Sequence, residues 1–411
     1  MRIFDVAVIG GGASGLAAAI AASKGGRRVV IIEKNDRIGK KISVSGNGRC
    51  NISNKNLVTD TSYVMYNNRK FVTYALNSVD NAILRSFLES VGLLSTYEGD
   101  RMYPYSLNSN QVLDVFRYAI ESNHITLKLG MEVISVKKAN NQFTIVNSSG
   151  KDIVANSVIV ATGSGAGLEK DMNYFLKEHS VVEPVPSLLP IRTDMTFLKG
   201  LNGVRSRARV SLYHDGEKLY SEYGEVLFKN FGISGVCAFS CSSYIARNIR
   251  RSSFESFKIR IDFMPEYSEK AVLEKLLSRN NIIRTENESI EDIFVGMFHK
   301  NIGANIIAQA GFNKNTYANF EVIKKIASVV KNFELQVTGL PPMSVAQVAC
   351  GGYDVKNFSK HTFESRIVSG LFVVGEALDI DGICGGYNMH FAIASGLVAG
   401  RKVGEYLDKI S

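Results

Sequence analysis

Apolar and polar positions over the first 33 residues follow the order strand, glycine turn, helix and strand. Residues 4–9 form a mostly apolar run typical of a buried strand, and residues 16–22 form an alanine-rich run of high helix propensity. Residues 28–32 form a second run, rich in β-branched side chains. This order predicts a βαβ unit with parallel strands and a glycine turn at the start of its helix.

The hydrophobic period changes several times along the rest of the chain. Residues 125–160 contain short strand-like segments, and residues 191–263 alternate with many β-forming side chains. Between residues 268 and 330 the apolar spacing becomes helical. Residues 371–374 form another buried strand-like run, and a helix-like run follows over residues 389–403. The pattern predicts an α/β fold with a β-rich and a helical segment between its first and last parts.

The glycine turn satisfies G-x-G-x-x-G, the fingerprint of dinucleotide binding. Gly10 permits the tight turn, Gly12 lets the backbone approach a pyrophosphate, and Gly15 lets the helix pack closely on the strand. The N–H groups and dipole at the start of the helix favour phosphate. Glu33 ends the second strand, where a carboxylate can accept ribose hydroxyls and would repel a 2′-phosphate. The predicted dinucleotide site comprises Gly10, Gly12, Ala13, Ser14, Gly15 and Glu33.

A long glycine-rich and polar loop over residues 39–51 favours FAD over NAD. An NAD domain would normally pass directly into its next helix, whereas this loop offers backbone donors and cations to a ligand that reaches further. Lys41 or Arg49 near the pyrimidine end of a flavin would favour its reduced, anionic form. The alternative is a surface loop with solvated lysines. The loop residues predicted to bind the cofactor are Lys41, Ser45, Gly46, Gly48, Arg49, Cys50 and Asn51.

The C-terminal segment predicts a second strand–loop–helix unit. Ligands of open α/β sheets bind beyond the carboxyl ends of the strands, so this loop should meet the same cofactor as the glycine turn. For Gly396 and Gly400, four residues apart in the helix, we favour close helix packing. His390 is a candidate proton donor, with a structural, hydrogen-bonded histidine as the alternative. The predicted binding residues here are Gly375, Glu376, Asp379, Gly385, Gly386, Tyr387 and Asn388.

Composition and charge argue against several classes of protein. The five cysteines form no C-x-x-C pair, which argues against a disulfide scaffold and against a dithiol–disulfide reductase. No apolar run reaches the ~18 residues of a membrane span, and Asp5 stands where a signal peptide would be apolar, so we expect a cytoplasmic protein. The net charge is +9, but the basic residues are dispersed, with short clusters at 205–209 and 247–251, and nucleic acid is not an expected partner.

Taken together, these motifs resemble the HI0933-like family of FAD-dependent oxidoreductases, also called the BaiN/RdsA or aminoacetone-oxidase-like family. The resemblance runs from end to end, and the stretch from Ser45 to Asn54 is its most distinctive part. Asn230 and Ala349 depart from the family pattern, which has a histidine or aspartate and a threonine there. The matching segments are 8–16, 33–34, 39–41, 45–54, 102–106, 160–163, 224–228, 231–235, 351–352, 364–365, 370–376 and 385–388.

The resemblance implies a Rossmann-like, two-dinucleotide-binding FAD domain with an inserted β-rich domain and a helical subdomain. The expected limits are 1–190 and 346–411 for the FAD domain, 191–263 for the β-rich domain, 264–330 for the helical subdomain, and 331–345 for the return segment. Three further cofactor residues follow from it. Lys34 and the Thr162-Gly163 pair match family motifs, and the backbone of Val133 commonly faces the adenine in this fold class.

The resemblance also limits the expected chemistry without choosing a substrate. Relatives are associated with reduction of conjugated C=C bonds in steroid-like ketones and with oxidation of small amines. Only one complete dinucleotide fingerprint is present, so electrons come either from NADH or NADPH docking transiently or from the substrate, with O₂ as acceptor. Of the two, we lean to a reductase of a small organic molecule with NADH or NADPH as the donor. An amine oxidase that uses O₂ and an RNA-associated or non-catalytic flavoprotein are the alternatives. No residue is assigned to catalysis, and the oligomeric state stays open.

Overall fold

The computed structural model describes residues 3–57, 69–167, 174–283 and 289–410. The chain forms two compact units, a first unit of Met1–Val185 and Met343–Ser411 and a second unit of Pro186–Pro342. Over the described residues the strands are β1 (Ile3–Ile9), β2 (Val29–Ile32), β3 (Ser53–Asn54), β4 (Ser95–Glu98), β5 (Arg101–Pro104), β6 (Thr126–Lys128), β7 (Val133–Ala139), β8 (Gln142–Asn147), β9 (Ile153–Val160), β10 (Val181–Ser187), β11 (Ile191–Thr193), β12 (Arg205–His214), β13 (Glu217–Lys229), β14 (Gly232–Ser234), β15 (Phe257–Asp262), β16 (Phe333–Gly339), β17 (Val348–Tyr353) and β18 (Leu371–Val373).

The α-helices of the same residues are α1 (Ala13–Ala22), α2 (Lys40–Val44), α3 (Arg69–Ser78), α4 (Asn81–Ser90), α5 (Ser109–Ser122), α6 (Val236–Asn248), α7 (Glu269–Ile283), α8 (Lys300–Gln309), α9 (Phe320–Lys331) and α10 (Tyr387–Ile410).

A seven-stranded sheet forms the centre of the first unit. Its order is β6-β2-β1-β9-β8-β7, and β18 also pairs with β9. β1 is parallel to both β2 and β9, and Ile9 is in register with Ile32 and with Val160. The residues that follow these three strands therefore lie side by side at the carboxyl edge of the sheet, where open α/β folds bind their ligands.

Small residues let α1 and α10 pack unusually closely on each other. A Cβ atom on Gly396 would lie 2.3 Å from the carbonyl oxygen of Ser14, and one on Gly400 would lie 2.4 Å from that of Ala18. Neither distance leaves room for a methyl group, because the opposing atoms belong to the backbone. The predicted close packing at Gly396 and Gly400 is confirmed, and it fixes α1 beneath the C-terminal helix.

The second unit contains a closed six-stranded barrel in the order β11-β14-β13-β12-β15-β16. Inward positions of its strands are apolar, as the alternating burial of β15 and β16 illustrates. Helices α6 to α9 belong to the same unit. The predicted fold class, a Rossmann-like FAD domain with an inserted β-rich part and a helical part, is confirmed. The finer division at residues 191–263, 264–330 and 331–345 stays a prediction.

Candidate functional site

The glycine turn is tight because two of its glycines face backbone atoms. Gly10 has a φ of 109°, and a Cβ there would lie 2.3 Å from the carbonyl oxygen of Ala161. A Cβ on Gly15 would lie 1.9 Å from the oxygen of Gly10. The predicted reasons for these two glycines, a tight turn and close helix–strand packing, agree with these contacts.

Gly12 differs from both, because its Cβ position faces open space. Apart from Gly12 itself and its two chain neighbours, no protein atom lies within 4 Å of that position among the described residues. Gly12 is also the N-cap of α1, and it provides no side-chain cap, while the first turn of α1 holds no acidic residue. The N–H groups of that turn thus have no side-chain cap and carry the positive end of the helix dipole, which suits an anionic group.

Glu33 lies beside the glycine turn at the end of β2 and is buried. Its Oε2 accepts a hydrogen bond from the Gly11 N–H at 2.7 Å, and its Oε1 accepts one from the Asn35 N–H at 2.8 Å. The Glu33 carbonyl accepts from the Met131 N–H at 3.0 Å, two residues before β7 begins at Val133. Glu33 and Val133 are therefore brought close to each other. Glu33 Oε1 also accepts from the Asn35 side-chain amide at 2.5 Å, so only Oε2 keeps a lone pair for another donor. Lys34 is exposed beside them.

The predicted long loop after β2 is in part helical, and this corrects the sequence interpretation. Gly39, with a φ of 67°, begins the short helix α2, and its N–H donates to the carbonyl of Gly11 at 2.8 Å. Ser45 to Gly48 then form a 3₁₀ turn in which Gly46 and Asn47 are left-handed. Local polarity suggested a loop, but Gly39 anchors this segment to the glycine turn and lets a helix start there.

Lys41 and Glu376, predicted from opposite ends of the chain, form an ion pair. Lys41 Nζ lies 2.7 Å from Glu376 Oε2, and the carboxylate is the more buried partner. Glu376 Oε1 accepts from the hydroxyl of Ser164 and from the Ala349 N–H at 3.0 Å. Glu376 thus ties together α2, the segment after β9 and β17.

Arg49, the other cation expected near a flavin, also has a carboxylate partner. Its guanidinium lies 2.5 Å from Glu98 and stacks 4.5 Å from the ring centre of Tyr103. The ion pair with Glu98 raises the pKa of Arg49. Since Lys41 and Arg49 are each paired with an acid, the positive field that either can apply to a bound flavin is partly neutralised.

The two ends of the chain meet through hydrogen bonds between loops. In the amide orientation that suits its neighbours, Asn51 donates to the carbonyls of Ser53 and Met102 and accepts from the Gly386 N–H at 3.1 Å. Asn54 Nδ2 donates to the Gly385 carbonyl at 3.1 Å. Asn51 and Asn54 therefore bring the segment after α2 against residues 385–386.

Asn388 and Tyr387 stand at the start of α10. The side-chain amide of Asn388 makes two hydrogen bonds with the backbone of Gly382, at 2.7 and 2.8 Å. Asn388 therefore holds the loop before α10 in shape. Tyr387 is buried, and Gly375, at the end of β18, has its N–H bonded to Ser395 Oγ at 3.0 Å.

Two buried hydroxyl groups in this region lack hydrogen-bond partners in the described structure. They are Oγ1 of Thr162, at the carboxyl end of β9, and the hydroxyl of Tyr174. Next to Thr162, a Cβ on Gly163 would meet open space, as would one on Gly48. A buried hydroxyl without a partner is costly unless a ligand completes it. The donors, the open glycine positions and the orphaned hydroxyls fit a bound dinucleotide.

Tyr174 is a candidate site residue that the sequence did not indicate. It lies near Glu376 and Asp379, and its ring packs edge-on to Tyr353 with 5.1 Å between centroids. Burial, followed by the neighbouring Tyr353 and the two carboxylates, raises the pKa of Tyr174. The phenol therefore stays protonated at neutral pH. Nothing in the sequence around Tyr174 indicated this, because the contact depends on tertiary packing.

Cys50 is buried with a φ of 56°, and burial raises the pKa of its thiol to about 11. A thiol with that pKa is a poor nucleophile at neutral pH, so burial favours a packing role for this side chain and argues against a redox role. Cys350 is also buried and lies 2.8 Å from Asp381 Oδ2.

His390 lies on the first turn of α10 and is fully buried. Its Nδ1 is 2.7 Å from Ser53 Oγ, and its Nε2 is 2.7 Å from the carbonyl of Val79. Because a carbonyl only accepts, Nε2 carries the proton in the neutral ring. Burial lowers the pKa of His390 to about 4. Both nitrogens are engaged and the ring is neutral, so the structural alternative is favoured over a proton donor.

A pH titration of stability would test this role of His390. The native pKa of about 4 lies below the ordinary value of 6.5, so the unfolded state binds the proton first as the pH falls. The free energy of unfolding should drop by about 3 kcal/mol between pH 6.5 and pH 4 from this group, with no contribution above pH 7. Urea unfolding at each pH measures it. His390→Gln should flatten this part of the profile, whereas the exposed-site control His124→Gln should not; equal profiles would contradict the assignment.

Neither a cluster of metal ligands nor a membrane-spanning helix occurs among the described residues. No group of three or more His, Cys, Asp and Glu side chains in them is placed to hold a metal ion. No helix within the described ranges is both long and apolar enough to cross a membrane.

The chain is similar to several known proteins over nearly its whole length. The model of the HI0933-like protein Rossmann domain matches residues 4–402. The 3-dehydro-bile acid delta(4,6)-reductase of Clostridium scindens is 29% identical over 97% of this chain and 99% of its own length. The ribosomal RNA dihydrouridine synthase of Haemophilus influenzae is 27% identical, over 94% of this chain and 95% of its own. A flavocytochrome c3 fumarate reductase in its open conformation is 14% identical, with a TM-score of 0.52 over 99% of this chain and 79% of that one, which supports the fold alone.

Proposed function

This chain belongs to the HI0933-like family of flavin-dependent oxidoreductases, and we propose that it uses FAD to reduce a C=C bond conjugated to a carbonyl group in a small organic substrate. The observation that carries the proposal is that the reactions named for two relatives both reduce a C=C bond conjugated to a carbonyl group. A 3-dehydro-bile acid with Δ4,6 double bonds has them conjugated to its 3-ketone. The C5=C6 bond of uracil, which a dihydrouridine synthase saturates, is conjugated to a ring carbonyl.

FAD would be held by groups from both ends of the first unit. The first turn of α1 would take the pyrophosphate, since Gly12 leaves that space open and no side chain caps the helix. Glu33 and the backbone at Val133 would face the adenosine half. Thr162 Oγ1 offers a donor that has no protein partner among the described residues. The other proposed binding residues are Gly10, Ala13, Ser14, Gly15, Lys34, Lys41, Ser45, Gly46, Gly48, Arg49, Cys50, Asn51, Gly163, Gly375, Glu376, Asp379, Gly385, Gly386, Tyr387 and Asn388.

The residues around this site would mainly position the reactants. When bound, FAD supplies the hydride-transfer chemistry that no side chain can provide. The Lys41–Glu376 pair fixes α2 against the loop after β18 at 2.7 Å, and the Asn51–Gly386 bond fixes the loops on the other side. Both hold the walls of the site in place, and orientation of this kind accounts for much of enzymatic rate enhancement.

NADH or NADPH would be the electron donor, docking transiently. The glycine-rich stretch after β9 lacks the spacing and the downstream acid of a second dinucleotide fingerprint. NADH or NADPH would therefore reach the flavin by the same route as the substrate.

Reduction of a uridine in ribosomal RNA is the second candidate. Two relatives carry that name, at 27% and 26% identity over 94% and 96% of this chain. The expectation that nucleic acid is not a partner therefore stays a prediction. An amine oxidase reaction is a further outcome for the experiment to detect.

Anaerobic stopped-flow reduction of the purified holoprotein tests the proposal. We expect the flavin absorbance to bleach with NADH or NADPH and to return faster with a 3-oxo-Δ4,6-steroid than with buffer. Faster reoxidation by a uridine-containing RNA would favour the second candidate. Bleaching by aminoacetone, with peroxide release in air and no response to either nicotinamide, would contradict a reductase.

A further inference from the structure

Three arginines project from one face of strand β12. Along Arg205–His214 the side chains alternate, so that Ala208, Val210 and Leu212 point into the barrel while Arg205, Arg207 and Arg209 are exposed. Alternate residues of a strand lie about 6.6 Å apart on the same face. The short basic cluster in the sequence is thus a row of exposed arginine side chains on the outside of the barrel.

Carboxylates near this row neutralise it only in part. Arg205 pairs with Glu225 at 2.8 Å. Asp262, in register opposite Arg209 on β15, is held by Lys331 at 2.7 Å. Within the described part of the chain, no ion pair or hydrogen bond joins the side chain of Arg207 or Arg209 to another group. Glu225 also lies opposite Arg207 in the register of β12 and β13. Arg205, Arg207, Arg209 and Lys331 thus share the two carboxylates of Glu225 and Asp262, and the row keeps a net positive charge.

Aromatic rings border the same row. Tyr223 lies directly opposite Arg209 on β13 and is 51% exposed. On the other side, Arg260 stacks over the ring of Tyr213, with 4.3 Å to the ring centre. Lys258 and Arg260 share the single carboxylate of Glu334, which adds one net positive charge. Exposed rings and stacked guanidinium planes are the groups on which unpaired bases stack.

We propose that this surface, the arginine face, binds the phosphodiester backbone of a single-stranded nucleic acid. It is defined by Arg205, Arg207, Arg209, Tyr213, Tyr223 and Arg260. Guanidinium forks match phosphate geometry, and the spaced row with flanking rings offers both phosphate contacts and stacking. A membrane surface would call for exposed aliphatic anchors, and the outward positions of β12 carry none. The proposal is independent of the reaction proposed above.

Fluorescence anisotropy with the full-length holoprotein tests it, using labelled 12-nucleotide oligouridine and its DNA equivalent between 50 and 300 mM salt. We expect Arg207→Ala/Arg209→Ala to weaken binding about tenfold at low salt. The slope of log K against log salt should fall by about 1.4, because each lost phosphate contact removes ~0.7 for a single strand. Tyr223→Ala should weaken binding about tenfold without changing the slope.

The matched control is Arg85→Ala/Arg117→Ala, which removes the same charge from exposed helix positions of the first unit. It should keep the affinity within twofold. An equal loss in both double variants would show attraction by net charge alone and would overturn the proposal. So would the absence of wild-type binding at 50 mM salt, or binding of anionic vesicles in place of both oligonucleotides. Preference for RNA over DNA would identify the natural strand. Flavin reduction by NAD(P)H in the same samples is a separate readout, so its failure would count against the reaction and not against this surface.

Discussion

A Gly12→Asp variant is expected to be slightly more stable than the wild type without FAD and to bind FAD more than about 100-fold more weakly. Gly12 is the N-cap of α1, has an extended φ of −85° and has an open Cβ position. Aspartate is a better N-cap than glycine by a few tenths of a kcal/mol, and its charge suits the helix dipole. The same charge would face the proposed pyrophosphate, and at about 4 Å such repulsion is on the order of 4 kcal/mol.

Thermal unfolding of the apoprotein and FAD titration by flavin fluorescence measure the two effects separately. Asn319→Asp is the matched control, because it adds the same charge at the N-cap of α9, in the second unit, where Asn319 already accepts from the Val322 N–H. It should leave FAD affinity unchanged. Retained FAD binding in Gly12→Asp would place the pyrophosphate elsewhere. A large loss of apoprotein stability would mean that the position is not open.

The contrast between Gly12 and its neighbours explains what the glycine motif could predict. G-x-G-x-x-G and the strand–helix–strand order indicated the turn, and the structure places Gly10 and Gly15 against backbone oxygens as those rules require. Such contacts are local, since the partners lie within the βαβ unit or directly beside it. The close packing at Gly396 and Gly400 could also be predicted from the sequence, because glycines spaced four residues apart in a helix have few roles other than close packing.

Contacts between distant segments could not be read from the sequence. The Lys41–Glu376 pair joins residues 335 positions apart, and local composition suggested that Lys41 would be a free cation. Tyr174 acquires its role from Glu376, Asp379 and Tyr353, none of which is near it in the chain. Alternation over residues 191–263 predicted strands, but closure into a barrel depends on β16, which returns after the helical segment. Arg205, Arg207 and Arg209 appeared as a minor cluster until β12 placed them on one face.

Gly396→Ala and Gly404→Ala, the same substitution at two positions of α10, are expected to change stability in opposite directions. At Gly396 the added methyl meets the Ser14 carbonyl oxygen at 2.3 Å and the Ala18 nitrogen at 3.1 Å, and these backbone atoms can move only if α1 moves. Overpacking of this kind costs about 3 kcal/mol. At Gly404 the nearest atoms belong to the guanidinium of Arg27, the flexible end of a long side chain. Alanine there should gain up to about 1 kcal/mol of helix propensity.

Urea unfolding of the two variants should therefore differ by about 4 kcal/mol in the free energy of unfolding, although the chemical change is identical. Gly396→Ala should also lose FAD more readily, because Ser14, the residue displaced, lies in the first turn of α1 where the pyrophosphate is proposed to bind. Retention of bound FAD on gel filtration measures this second effect. Equal stability of the two variants would mean that α1 can shift away from α10 at little cost. In that case the sheet, and not the C-terminal helix, would hold the amide donors at the start of α1. The result would contradict a role of α10 in positioning the proposed FAD site.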